Sequence, residues 1–326
     1  MNTKEMAADL QESRQAQAPR RNVQDRLFEL LTLACAALVL AVLGAILLSL
    51  LMGSWQALST HGIGFLFHSE WDPINGIFGA LAPIYGTLVT SFIAIAIGVP
   101  LSFGIAMFIT ELSPRMLRRP LVVAIELLAG IPSIIYGMWG LFVFAPLFGR
   151  TVQPFLQDTL GGLPGLGLLF AGPPMGVGML TAGLILALMI TPFISSVMRE
   201  VFDVVPKALK ESAYAMGATT WEVMARIVVP QTKLGLVGGV MLGLGRALGE
   251  TMAVTLVIGN AYQISPSLFA AGNTISSVLA NEFAEADDAL YTSSLMALGL
   301  VLFLIAITVL VVARLLLWRL RRHGAN

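Results

Sequence analysis

Long apolar runs alternate with short polar joints along nearly the whole chain. Runs at about 30–52, 84–110, 120–148, 177–198, 234–259 and 290–313 each contain two charged residues at most. A bilayer core about 30 Å thick needs roughly 20 helical residues per crossing, so every run is long enough to span it. The pattern predicts an all-α membrane protein with six transmembrane helices. Leu30–Met52 is bounded by Glu29 and Gly53, Glu111 and Ser113-Pro114 close the second run, and Pro120, suited to a first helical turn, opens the third. The predicted regions are a polar tail over 1–28 and a membrane domain over 29–326. The tail lacks a short apolar core of the leader type, and the first run is too long for a cleaved leader. It is therefore expected to remain as an anchor.

Composition narrows the class. The 326 residues are 57% hydrophobic and 12% charged, whereas soluble domains carry about 25% charged residues. A soluble enzyme, a disordered chain and a nucleic-acid binder are excluded. The 19 cations balance the 19 carboxylates, so no net field gathers polyanions. A lone cysteine, Cys35, rules out an internal disulfide framework or a cysteine metal site. None of the four lysines (4, 207, 210, 233) completes a G-x-x-x-x-G-K-[ST] phosphate cradle, so no ATP hydrolysis, catalytic residue or cofactor is expected of this chain.

With six spans, the N-terminal tail, the joints 115–119 and 199–233, and the C-terminal end share one side and hold 17 of the 19 cations. Arg150 falls opposite and Arg246 inside a span. The positive-inside rule then places both termini in the cytoplasm.

The fifth run contains the unusual chemistry. Gly235, Gly239 and Gly243 recur every four residues, a spacing that lets helices approach closely. At about 100° per residue Gly239, Gly243, Arg246 and Glu250 share one stripe, so the charges face the protein interior. A charge near the bilayer centre costs at least about 2.5–3.5 kcal/mol. Two readings follow: Arg246 and Glu250 form a structural ion pair, or the Arg246 donor fork lines a pathway for an anion and alternates between Glu250 and the passing oxyanion. Glu126, read in the second turn of the third span, is expected to be structural. Gly130 and Pro132 beside it predict a kink.

The polar joint between the fourth and fifth runs reads as helix, turn, helix. Pro206 starts one piece, Gly217 interrupts, Thr219-Thr220 caps a second, and Pro230 ends it. Glu211-Ser212-Ala213, Gly217, Ile227 and Pro230 spell E-S-A-x-x-x-G-x₉-I-x-V-P. This resembles the EAA loop of ABC-importer permeases, E-A-A-x-x-x-G-x₉-I-x-L-P, with Ser212 and Val229 as departures. The resemblance implies that 211–230, with Glu211, Ser212, Ala213, Gly217 and Pro230, lies in a cleft of a cytoplasmic ATPase and couples its closure to the membrane.

Further motifs sharpen the likeness: Trp71-Asp72-Pro73, Phe78-Gly79-Ala80-Leu81, Ile84-Tyr85-Gly86-Thr87, Gly130-Ile131-Pro132-Ser133-Ile134-Ile135-Tyr136-Gly137 and Gly245-Arg246-Ala247-Leu248-Gly249-Glu250-Thr251. From about residue 25 onward the chain resembles the PstC-type permeases of bacterial phosphate ABC transporters. That implies a MetI-like, type I ABC-importer architecture in the bacterial inner membrane. It also implies a heterodimer with a PstA-type permease, two copies of a cytoplasmic PstB-type ATPase, and a periplasmic phosphate-binding protein. Arg246 and Glu250 match the family's charged pair. Sulfate, molybdate and tungstate are rival oxyanions. An ion-coupled secondary transporter using Glu126, Arg246 and Glu250 leaves the EAA spacing unexplained, and a signalling scaffold is a third class. The outer loops 55–82, 149–176 and 260–289 read either as solvated connectors with tryptophan anchors or as docking surface for an external partner.

Overall fold

The computed structural model describes residues 23–165 and 167–323, so most of the predicted polar tail lies outside the described residues. The described residues are helical and contain no strand; two isolated bridges pair Asp72 with Ile77 and Gly259 with Gly272. Among the described residues, six helices are long and apolar enough to cross a membrane: Asp25–Gly53, Leu81–Leu112, Ser133–Leu160, Met179–Asp203, Thr220–Leu248 and Ala289–Arg319.

The described residues fall into two compact units, divided between Ser49 and Leu50. The first contains most of α1 (Val23–Gly53). In the second, the short helices α2 (Trp55–His61) and α3 (Gly64–Phe67) precede α4 (Leu81–Met107), which widens into a π turn over Phe108–Leu112. Next come α5 (Arg115–Ala129) and α6 (Ser133–Trp139), then a π turn at Gly140–Phe144, α7 (Ala145–Arg150) and α8 (Val152–Leu160). The fourth span is α9 (Met179–Asp203), followed by α10 (Lys207–Ala215) and α11 (Thr220–Val223). A π turn at Met224–Val228 leads into α12 (Val229–Leu248); α13 (Met252–Val257), α14 (Ile275–Glu282) and α15 (Ala289–His323) complete the chain.

The fourth span is the central post of this unit. Two thirds of its apolar window (67%) is buried, against 33% or less in the other spans. Its Ile185, Ile190, Ile194, Met198 and Phe202 form a continuous core with α4, α12 and the α10–α11 joint. Buried apolar side chains do not drive helix association in lipid as they do in water, so close packing must hold these helices together. The fit is tight where α12 crosses α9: a Cβ added at Gly235, Gly239 or Gly243 would meet Val201, Val197 or Ile194 at 2.6, 3.0 and 2.4 Å.

Three expectations are corrected. The third span does not start at Pro120: Pro120 lies inside α5, which starts after Pro114 and ends at Gly130, and the crossing helix starts at Ser133. Pro132 has no N–H to continue the ladder, so the expected kink is a full break. Pro230 does not end the second loop helix. The π turn before it, closed by Val229 N–H to the Met224 carbonyl, admits the ring and the helix continues through the span. The fifth run breaks as well, since α12 ends at Leu248 with Gly249 as its C-cap, and Glu250 and Thr251 are not helical.

Candidate transport pathway and coupling surface

Arg246 sits in the last turn of α12. Its guanidinium carbon lies 5.1 Å from the centre of the Phe193 ring on α9, and its Nε is buried without a hydrogen-bond partner. A cation over an aromatic face gains about 0.5–2 kcal/mol, depending on desolvation. That contact orients the planar group but uses none of its N–H donors.

Glu250 is placed differently from the predicted stripe. The helix has ended, and the carboxylate turns forward to accept the Ala253 N–H at 3.2 Å, in the first turn of α13. Orphan N–H groups at a helix start attract a carboxylate, and this local bond replaces the ion pair with Arg246. Arg246 and Glu250 therefore form no ion pair in this conformation. What remains is a guanidinium inside the bundle with unused donors, the group best shaped to hold a tetrahedral oxyanion.

Glu126 lies on α5 and not on the crossing helix that starts at Ser133. On α5 it is half exposed and pairs with Arg199 at 3.3 Å, while Arg118 pairs with Asp203 at 2.7 Å. These two pairs fasten α5 to the end of the fourth span. Such exposed pairs are each worth about 0–1 kcal/mol.

The loop between the fourth and fifth spans has a clear inner and outer face. Ala213 of α10 is buried, whereas Glu211, Ser212, Tyr214 and Met216 are exposed. Gly217 has φ +87°, a left-handed conformation that permits the reversal after α10. Thr219 and Glu222 then form a reciprocal capping box at the start of α11. Ala213, Met216, Gly217, Glu222, Arg226 and Ile227 line part of an open groove of about 340 Å³. The spacing of the motif thus becomes a helix–reversal–helix whose outer face is free to be covered.

One cluster was not legible in the sequence. Trp71 stacks on Tyr262 (5.6 Å between ring centres) and meets Phe78 edge-on at 5.0 Å; Phe78 stacks on Tyr291 at 5.3 Å. Both tyrosine hydroxyls donate to Glu282, Tyr262 at 2.9 Å. Burial, reinforced by the Glu282 charge, pushes the Tyr262 phenol well above its ordinary range. Trp71 is only 8% exposed and belongs to this core, whereas Trp55 is 74% exposed. The anchor reading therefore holds no place for Trp71. The residues lie too far apart in the chain for any local pattern to have joined them.

Residues 98–322 match the family described as binding-protein-dependent transport system inner membrane component. A phosphate transport system permease protein PstC of Mesorhizobium japonicum is 60% identical, covering 96% of each chain. The protein of the same name from Pasteurella multocida is 55% identical over 96% of this chain and 98% of its own. Among solved structures, a chain of a bacterial alginate ABC transporter, in complex with a pentasaccharide-bound periplasmic protein, aligns with a TM-score of 0.59. The alignment covers 90% of this chain and 96% of that one at 20% identity, which is a likeness of fold.

Proposed function

The chain belongs to the binding-protein-dependent transport-system inner-membrane components, among the PstC phosphate-transport permeases, and on that premise we propose that it passes inorganic phosphate into the cell on ATP hydrolysed by a separate subunit. It is a multi-pass membrane protein. The observation that carries the substrate is the likeness to phosphate permeases along nearly the whole of both chains.

In this reading both termini and the 199–233 loop face the cytoplasm of a bacterial inner membrane, in keeping with the cation distribution. A PstA-type permease completes a heterodimeric pathway, two PstB-type ATPase copies supply the work, and a periplasmic binding protein delivers phosphate. The exposed side of α10, with Glu211 and Ser212, lies in the ATPase cleft, and Gly217 sets the angle between α10 and α11. Ala213 seats the helix on the core, while Pro230 marks where the loop enters the membrane. Gly235, Gly239 and Gly243 hold α12 against α9, so displacement of the loop becomes displacement of both spans together.

Arg246 is the residue assigned to the anion. Phe193 orients the guanidinium, and its planar donor fork is left to hold oxygens of the anion. Glu250 holds the start of α13, which keeps the break after Arg246 in place. Binding must be weak enough to release the ion, and a site with no fixed carboxylate partner exchanges one set of N–H···O bonds for water without breaking a buried ion pair. Nucleotide shifts the inward-open and outward-open populations only through its different affinity for the two.

The test is ATP-driven accumulation of radiolabelled phosphate in liposomes containing the four-component complex, with and without this chain. Accumulation that requires both ATP and the chain is the expected result. Accumulation that survives ATP removal and collapses with the proton gradient would replace the ABC reading with ion coupling.

A further inference from the structure

Among the described residues, a deeply placed charge fastens the α10 helix to the membrane domain. Lys210 Nζ lies 2.6 Å from Glu111 Oε1 and donates to the Phe202 carbonyl at 3.3 Å. The two side chains are 13% and 9% exposed, against 41% and 51% for Arg118–Asp203 and 18% and 55% for Arg199–Glu126. Lys210 and Ala213 are three residues apart and share the inner face of α10, while Lys207 and Glu211 are exposed.

The partners of Lys210 belong to two different spans. Glu111 occupies the π turn that ends the second span, closed by Ser113 N–H to the Phe108 carbonyl at 2.7 Å. Phe202 sits in the last turn of the fourth span and is fully buried. One ammonium group therefore ties α10 to both helix ends. Stability alone does not explain such a pair, because well-packed apolar replacements of buried ion pairs are often as stable or more so. A buried pair differs from an apolar contact in being directional: it resists sliding as well as separation.

We propose that Lys210 and Glu111 form a strut that makes the coupling helix and the ends of the second and fourth spans move as one body. The proposal rests on the reading that an ATPase meets the outer face of α10. Both are positioning residues; neither touches the transported ion. Without the strut, a push on α10 is absorbed by slippage over Ala213.

The experiment compares ATP hydrolysed with phosphate imported in liposomes containing the complete transporter. The variants are Lys210→Met, Lys210→Arg and the apolar double Lys210→Met/Glu111→Leu. Import per ATP should fall about tenfold in the double variant, within the usual range of coupling energies, while thermal stability and ATP hydrolysis are retained. Lys210→Arg, which keeps the charge, should stay near wild type. A double variant with the wild-type ratio overturns the strut, as does a fall in hydrolysis and import by the same factor in Lys210→Met. The apolar double leaves no orphaned charge, so it covers the case in which Lys210→Met alone fails to assemble. If the wild type imports no phosphate, the proposed function fails instead. The strut is then decided by spin labels at Leu112 and Tyr214: a narrow distance distribution that broadens in Lys210→Met supports it, and identical distributions refute it.

Discussion

Replacing Gly243 with alanine tests how closely α12 and α9 are joined. The added methyl would lie 2.4 Å from Ile194 Cδ1 and 2.6 Å from its Cγ1, well inside the carbon–carbon optimum of about 3.5–4.0 Å. Ile194 is fully buried and cannot withdraw into open space, so either its rotamer or the helix axis must shift. Overpacking of this kind costs about 1–3 kcal/mol. A glycine-to-alanine change in a helix also gains up to about 1 kcal/mol in propensity, which would blur the result if measured alone. Gly238→Ala supplies the reference: it lies on the same helix with nothing within 4 Å of an added Cβ. Propensity cancels between the two variants, so Gly243→Ala should be about 1–3 kcal/mol less stable than Gly238→Ala. The assay is thermal unfolding of the assembled complex in lipid–detergent mixtures, repeated in an Ile194→Ala background. Truncating Ile194 removes both clashing atoms, so most of the penalty should vanish there. Equal melting of the two glycine variants, or a penalty that simply adds to that of Ile194→Ala, would refute the close-packing argument.

Arg246→Lys keeps the charge but loses the planar fork, so phosphate import should drop about tenfold or more, equivalent to about 1.4 kcal/mol; wild-type transport by this variant would remove the fork from the mechanism. Gly217→Ala forces an L side chain into φ +87° with open space around it, so the cost of about 1–2 kcal/mol is purely conformational. Hydrogen exchange over residues 207–219 should accelerate accordingly. The Tyr262 phenol titrates above its ordinary value of 10.0 because it is buried and faces Glu282. A raised folded pKa means its contribution is complete at neutral pH and is lost as pH climbs past 10.0, so the melting temperature should fall in alkali, and Tyr262→Phe should flatten that fall.

The spans were legible because lipid imposes length and apolarity on every crossing, and the loop between the fourth and fifth spans was legible because a reversal needs a glycine at Gly217 and a capping residue at Thr219. What the sequence hid were interruptions. The stripe from Gly239 to Glu250 assumes an unbroken helix, and that assumption fails at Gly249, where a local N–H on Ala253 competes for the carboxylate. Pro230 reads as a stop only if the turn before it is α-helical; a π turn removes the conflict. Pro120 and Pro132 look alike in a hydropathy profile, yet the second, beside Gly130, breaks the helix. Lys210 and Glu111 are 99 positions apart, and Trp71 and Tyr262 lie on separate loops, so no periodicity connects them.

The most direct measurement is uptake of radiolabelled phosphate at low micromolar concentration by cells with and without this chain, against excess sulfate and molybdate. Uptake that depends on the chain and is unaffected by both competitors is the expected result. Phosphate uptake unchanged by loss of the expressed chain, or abolished by either competitor, would contradict the assignment of phosphate and transfer the same architecture to another oxyanion.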